Sequence, residues 1–180
     1  MRTGIRKAIG TLGLAAALAS APAFADSTAA AIKAAFVYNF AKFVEWPAGA
    51  FGDPRSPLEL CVAGPALDGR LQQLEGREAQ GHPIRVRAVA TTDAVPGCHI
   101  LVLGDLSPGE RGALLQASSR GAILTIGDSA TFPRDGGMIG LFVAANRVQF
   151  SVNLAAAQGA GLKLSARMLQ LAHSVQGGQP

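Results

Sequence analysis

Two cysteines, three histidines and a handful of basic side chains are the residues through which this chain can do chemistry. Cys61 and Cys98 stand 37 positions apart, so they are not the C-x-x-C of a thioredoxin-like redox site. In an oxidising compartment they can join, and one even pair fits one disulfide. On the chain-entropy model such a bond removes roughly 3–4 kcal/mol of unfolded-state freedom. It reads as a structural staple, with a redox fuse as the alternative. Zinc is a poor fit, because Cys98 and His99 are adjacent and no histidine has a ligand-like spacing. His82 precedes Pro83 in a turn and His99 opens a strand, so both read as structural or solvent-facing. Arg134, Arg147, Lys163 and Arg167 come from segments that a compact fold can gather into an anion pocket, although ordinary solvated surface accounts for them as well. Neither G-x-G-x-x-G nor G-x-x-x-x-G-K-[ST] occurs, so no nucleotide or other cofactor is expected.

Ile123-Leu124-Thr125-Ile126-Gly127-Asp128-Ser129 resembles the strand-plus-Gly-Asp-Ser block of the SGNH hydrolases, in which that serine is the nucleophile. The block lies two-thirds of the way along the chain, whereas in those enzymes it opens the domain. The late histidine, His173, has Gln170 where the family has an aspartate. An imidazole without that orienting carboxylate loses most of its power as a base. Asp128 and Ser129 therefore read as turn residues, and the chain is not expected to be an enzyme.

The formal charge is +4, with 16 basic and 12 acidic residues. Three of the basic residues, Arg2, Arg6 and Lys7, precede an uncharged stretch through Leu12, Leu14 and Leu18 that ends at Ala23-Phe24-Ala25. That pattern is a secretory leader over residues 1–25 with cleavage after Ala25. Gly10, Thr11, Gly13, Ser20 and Pro22 dilute it too much for a membrane anchor, and no cysteine at the cleavage point could carry a lipid. After cleavage 13 basic residues face 12 acidic ones, which removes the electrostatic case for nucleic acid. The mature chain is expected to be soluble and exported.

These side chains need elements to position them. Asp26 or Ser27 can cap a first helix whose apolar positions Ile32, Phe36, Phe40, Phe43 and Val44 recur at intervals of three and four until Pro47. Tyr38 and Trp46 add apolar area that a small domain does not easily bury. Residues 47–57 hold three prolines and two glycines and read as a loop. From Leu58 onward short apolar runs alternate with polar periodic segments, the pattern of βα units around a mostly parallel sheet. Leu58 to Ala63 is a strand, followed by a helix lined by Leu67, Leu71 and Leu74. Ile84, Val86 and Ala88 alternate with Arg85 and Arg87, which marks an edge strand with its arginines in water. Ile100 to Leu103 is a buried strand, Ser107-Pro108 opens a helix, and Ala122 to Ile126 is another strand. Met138 to Val143 and Arg147 to Val152 form a hairpin around Asn146. Leu154 to Ala160 is a short helix stopped at Gly161, and Ser165 caps a last helix carrying Met168, Leu169, Leu171, Ala172 and Val175. Residues 26–176 thus form one α/β domain with a mixed, mostly parallel sheet flanked by helices, a C-terminal β-hairpin and closing helices; 177–180 are a tail.

The stretch from Ala34 to Pro47, AAFVYNFAKFVEWP, resembles the opening signature of the YfiR family. Leu60-Cys61-Val62-Ala63-Gly64, Cys98-His99-Ile100-Leu101, Gly136 to Ile139, Arg147 to Leu154 and Ala160 to Ala172 resemble its later blocks in order and spacing. The resemblance implies a periplasmic α/β protein, usually dimeric. Such proteins repress an inner-membrane diguanylate cyclase of the YfiN type by binding its periplasmic sensor portion, which lowers cyclic di-GMP and biofilm formation. It further implies that an outer-membrane lipoprotein can sequester the repressor and that reduction of the Cys61 and Cys98 bond can disable it. The alternative is a small-molecule-binding sensor acting on another membrane partner, with Arg147, Lys163 or Arg167 in its pocket.

Overall fold

The computed structural model describes residues 23–178, so the leader expected over residues 1–25 lies largely outside the described residues, as do 179 and 180 of the tail. Five parallel strands form the centre, in the order β7 (Ile139–Ala144), β6 (Leu124–Gly127), β5 (Ile100–Leu103), β2 (Leu58–Ala63) and β4 (His82–Ala88). Two-residue β3 (Glu78–Ala79) pairs antiparallel with β4 at one edge. At the other edge β8 (Arg147–Asn153) runs antiparallel to β7, and β10 (Ser174–Gln176) runs parallel to β8. The expected mixed, mostly parallel α/β architecture is what the chain adopts. With only β3 beyond it, β4 sits almost at the rim, where its alternating pattern put it.

Parallel strands are stable only when both faces are covered, and period-two alternation sorts the side chains between them. Leu58, Leu60, Val62, Ile100 and Val102 enter the larger core with Val37, Phe40, Leu71, Phe150, Ala157 and Met168. Their neighbours Cys61, Ala63, Leu101 and Leu103 enter a smaller core with Leu114, Val95 and Phe132. The larger core is closed by α1 (Ala23–Phe43), a 3-10 segment (Leu67–Leu74) broken at Asp68 and Gly69, α3 (Leu154–Gly159) and α4 (Ala166–Gln170). Helix α2 (Pro108–Ser118) supplies the other face. Ser107 caps α2 and exchanges hydrogen bonds with Glu110 in a full capping box, as Ser107-Pro108 led us to expect.

Helix α1 differs from expectation in two ways. It continues back to Ala23, so Asp26 and Ser27 lie within it and do not cap it. Its buried stripe is Ala30, Ala34, Val37 and Ala41, with Phe40 beside it, whereas Ile32 and Phe43 are 44% and 41% exposed. Small alanines let the helix backbone approach the 3-10 segment closely, and the larger apolar side chains are turned to one flank, where Phe36 and Phe40 meet Phe150 of β8. The helix ends before Pro47 because Gln80 donates from Nε2 to the carbonyls of Ala41 and Val44. The chain then forms β1 (Val44–Glu45), which pairs with β9 (Lys163–Leu164).

The hairpin has a two-residue turn in which both Ala145 and Asn146 are left-handed, with φ of 48° and 57°. The last helix expected to run to Val175 stops at Gln170. His173 donates its backbone N–H to the carbonyl of Phe150, and this draws Ser174–Gln176 into the sheet as β10. Arg87 is only partly in water: its guanidinium is folded against the segment that precedes β5, whereas Arg85 is exposed as expected. Where the loops after β2 and β5 meet, a Cβ on Gly104 would lie 1.8 Å from the Pro65 carbonyl oxygen. Gly104→Ala is expected to lower stability by about 2 kcal/mol in urea unfolding through forced displacement of that loop; an unchanged midpoint would show that the contact carries no weight.

Candidate functional site

Two features are candidates for function, and the first is an apolar groove on the flank of α1. Phe36, Phe40 and Phe43 recur at helical spacing, and Phe150 of β8 packs against the first two with ring centroids at 5.7 and 5.1 Å. Met168 and Leu171 form the opposite wall, Arg167 and Asn39 stand at the rim, and the cavity is about 220 Å³. Phe43 and Leu171 are 41% and 71% exposed, and Ile32 on α1 and Val175 on β10 are also exposed. Large apolar side chains concentrated in this way mark an interaction surface more often than scattered exposure does. Tyr38 holds the helix in place from another side: its hydroxyl donates to the Glu78 carbonyl and the Arg77 guanidinium sits 3.9 Å from its ring centroid.

The second feature surrounds the disulfide. Cys61 in β2 is joined to Cys98, just before β5, with Cα atoms 5.9 Å apart, and both residues are buried in the smaller core. Arg87 covers the bond. It donates to the carbonyls of Ala94 and Pro96 and to Cys98 Sγ at 3.2 Å, and its Nε lies 3.4 Å from a carboxylate oxygen of Glu59. Next to it, Phe51 from the loop of residues 47–57 is stacked between the rings of His82 and His99, with centroids at 3.9 and 4.3 Å. Trp46 meets both Phe51 and His99 edge-on. His99 Nδ1 accepts the backbone N–H of Glu59, so Nε2 carries the proton that faces the Ala50 carbonyl. Burial holds the pKa of His99 below its ordinary value, against the opposing effects of the Ala50 carbonyl and the Glu59 charge.

The remaining candidates are dispersed. Arg167 lines the groove, whereas Arg147 lies next to the hairpin turn opposite Ala144 and Lys163 pairs in register with Glu45. Arg134 is exposed in the loop before β7. Ser129 Oγ shares a hydrogen bond with Thr131, and the His173 ring packs edge-on against Phe142. Asp128, which read as a turn residue, follows β6 directly and also pairs with Lys33 of α1.

A YfiR/HmsC-like family model matches residues 30–173. The chain belongs to the YfiR/HmsC-like family. The matched span contains the groove, both cysteines and the aromatic stack. No curated protein matches the chain. A solved structure described as the ABC domain in complex with L-Trp from Streptococcus pneumonia is 9% identical, with a TM-score of 0.48 over 67% of this chain and 55% of that one. The chain spans just over half the length of that structure. Among the described residues no helix is long and apolar enough to cross a membrane.

The regular spacing of the α1 stripe suggests core, which holds for Phe40 and Val44 and in part for Phe36 but not for Ile32 and Phe43, and the stack was overlooked altogether. The stripe was visible, but which flank of it the sheet would cover was not. The stack had no local signal, because His82, His99 and Phe51 come from three separate segments. Two outcomes are expected. Cys61→Ser lowers the unfolding free energy by roughly 3–4 kcal/mol in denaturant melts, the freedom that a closed loop of this length withholds from the unfolded chain; a change of less than about 1 kcal/mol would leave the bond without structural weight. His99 binds its proton more weakly when folded than when unfolded, so its contribution is complete above about pH 6.5 and is lost as pH falls toward the depressed value. Melting temperature therefore falls with acidification through that window, and His99→Gln flattens the fall. Superimposable pH profiles for the two proteins would contradict this.

Proposed function

We propose that this chain is a periplasmic regulator that represses an inner-membrane diguanylate cyclase by binding the periplasmic sensor portion of that enzyme. The observation that carries the reading is the family match over residues 30–173. The leader-like N-terminus supports export, with cleavage after Ala25, and a buried disulfide fits an oxidising compartment. The groove between α1 and α4 offers the apolar surface that a protein partner needs. Phe36, Phe40 and Phe150 line its floor, Phe43 and Leu171 are its exposed walls, and Arg167 is at a polar rim.

Repression requires only that the regulator bind the inactive form of the sensor more tightly than the active one. Release then raises cytoplasmic cyclic di-GMP and favours biofilm. A second copy of the chain and an outer-membrane lipoprotein are further partners under this reading, and reduction of Cys61–Cys98 is a route to derepression. No catalytic role is assigned to any residue.

Deleting the gene in its source organism is expected to raise cyclic di-GMP. Wild type should restore the low level, while Leu171→Asp and Phe43→Asp should not, although both variants keep the native circular dichroism spectrum and melting temperature. Both residues are exposed, so their replacement burdens the partner more than the fold. Unchanged cyclic di-GMP on deletion, under conditions where the protein is made, would reject the cyclase as its target.

A further inference from the structure

We propose that a second site, the crevice at the carboxyl ends of β2, β5 and β6, binds a small amphoteric molecule bearing both an ammonium and a carboxylate, of the size of an amino acid or dipeptide. The inference is independent of the protein partner proposed above. It begins with topology. From β2 the chain crosses to β4 on one side, and the later parallel strands β5, β6 and β7 then add on the other side. The connections after β2 and β5 therefore lead to opposite sides of the sheet, although their first residues stay joined by the backbone hydrogen bonds of Gly104 to Ala63 and Asp105 to Pro65. In open α/β sheets this reversal point, outside the strand carboxyl ends, is where ligands bind.

The crevice here is about 620 Å³ and is lined by the residues that follow those strands, with α1 and α2 on its sides. Its charged groups are Lys33, Arg111, Asp68, Asp105 and Asp128. Lys33 is only 9% exposed, a rare placement for a lysine, and its ammonium is neutralised by Asp128. Arg111 is half-buried. One end of its guanidinium is held by donation from Nη2 to the Leu106 carbonyl at 3.1 Å, which leaves its other N–H groups for a ligand. Among the described residues none of Arg111, Asp68 and Asp105 forms an ion pair. The crevice therefore presents one oriented cation and two carboxylates without counter-charges.

An anion would meet Asp68 and Asp105 unfavourably, and a simple cation would leave Arg111 unmatched. A molecule with both charges satisfies the two sets together: its carboxylate on Arg111, its ammonium toward the aspartates. The backbone is also committed to this wall. Leu67, Asp68 and Gly69 have successive φ values of 49°, 48° and 71°, and two adjacent non-glycine residues in the left-handed region are costly. Leu67 is buried, so the strained turn leaves Asp68 outward on the crevice rim.

The test is isothermal titration calorimetry of the mature chain with the common free L-amino acids and glycine dipeptides. Acetate, methylammonium and the N-acetyl and C-amide derivatives of each binder serve as single-charge probes. At least one free amino acid or dipeptide is expected to bind with one-to-one stoichiometry, and each blocked derivative to bind about tenfold or more weakly. Arg111→Gln and Asp105→Asn should each weaken binding by a similar factor with unchanged melting temperatures, while Leu171→Asp in the groove should leave it intact. The proposal is overturned by absence of binding at about 10 mM, by equal affinity for blocked forms or for acetate alone, or by indifference to both crevice variants.

Discussion

A parallel sheet must be covered on both faces, and most of this structure follows from how a short chain meets that demand. One face receives α1, the 3-10 segment, α3 and α4 and holds the larger core. For the other, α2 is joined by short loop segments around Val95 and Phe132, and the core there is much smaller. The disulfide lies on that thinner side, tying central strand β2 to the segment that leads into β5. Arg87 then closes over it with hydrogen bonds to two carbonyls, so a charged side chain on a near-edge strand serves as a cover for the weaker core.

Helix α1 shows how one element can meet several requirements at once. Its alanine stripe is buried in the larger core, its phenylalanines line the groove, and Lys33 reaches the end of β6 to pair with Asp128. Close approach through small side chains makes the other two roles compatible. A bulkier contact stripe would lift the helix, separating Phe36 and Phe40 from Phe150 and Lys33 from its carboxylate. The groove and the crevice thus depend on the same helix placement, the crevice at its N-terminal part and the groove along its C-terminal part.

The aromatic stack plays a comparable part for the loop of residues 47–57. That segment has three prolines and two glycines and little capacity for regular structure. Phe51 between two imidazole rings anchors it, and the neutral state of His99 is fixed by a backbone N–H on one side and a carbonyl on the other. A histidine held neutral in this way links the order of the loop to pH without being a catalytic group.

Local signals in the sequence sufficed for the six longer strands and their order of types, for the capping box at Ser107 and for the hairpin around Asn146. Each of these depends on a few adjacent residues, or on period-two alternation that any covered sheet obeys. The register of α1 on the sheet, the conversion of Ser174–Gln176 from helix to strand, the inward turn of Arg87 and the stacking of Phe51 between His82 and His99 were decided only in three dimensions. All four depend on groups far apart in the chain: the Phe150 carbonyl that captures His173, the carbonyls that hold Arg87, and the rings that meet across three segments. Apolar spacing shows that a helix has a greasy side. Which part of that side is covered depends on the shape of the surface it meets, and that surface is assembled from distant strands.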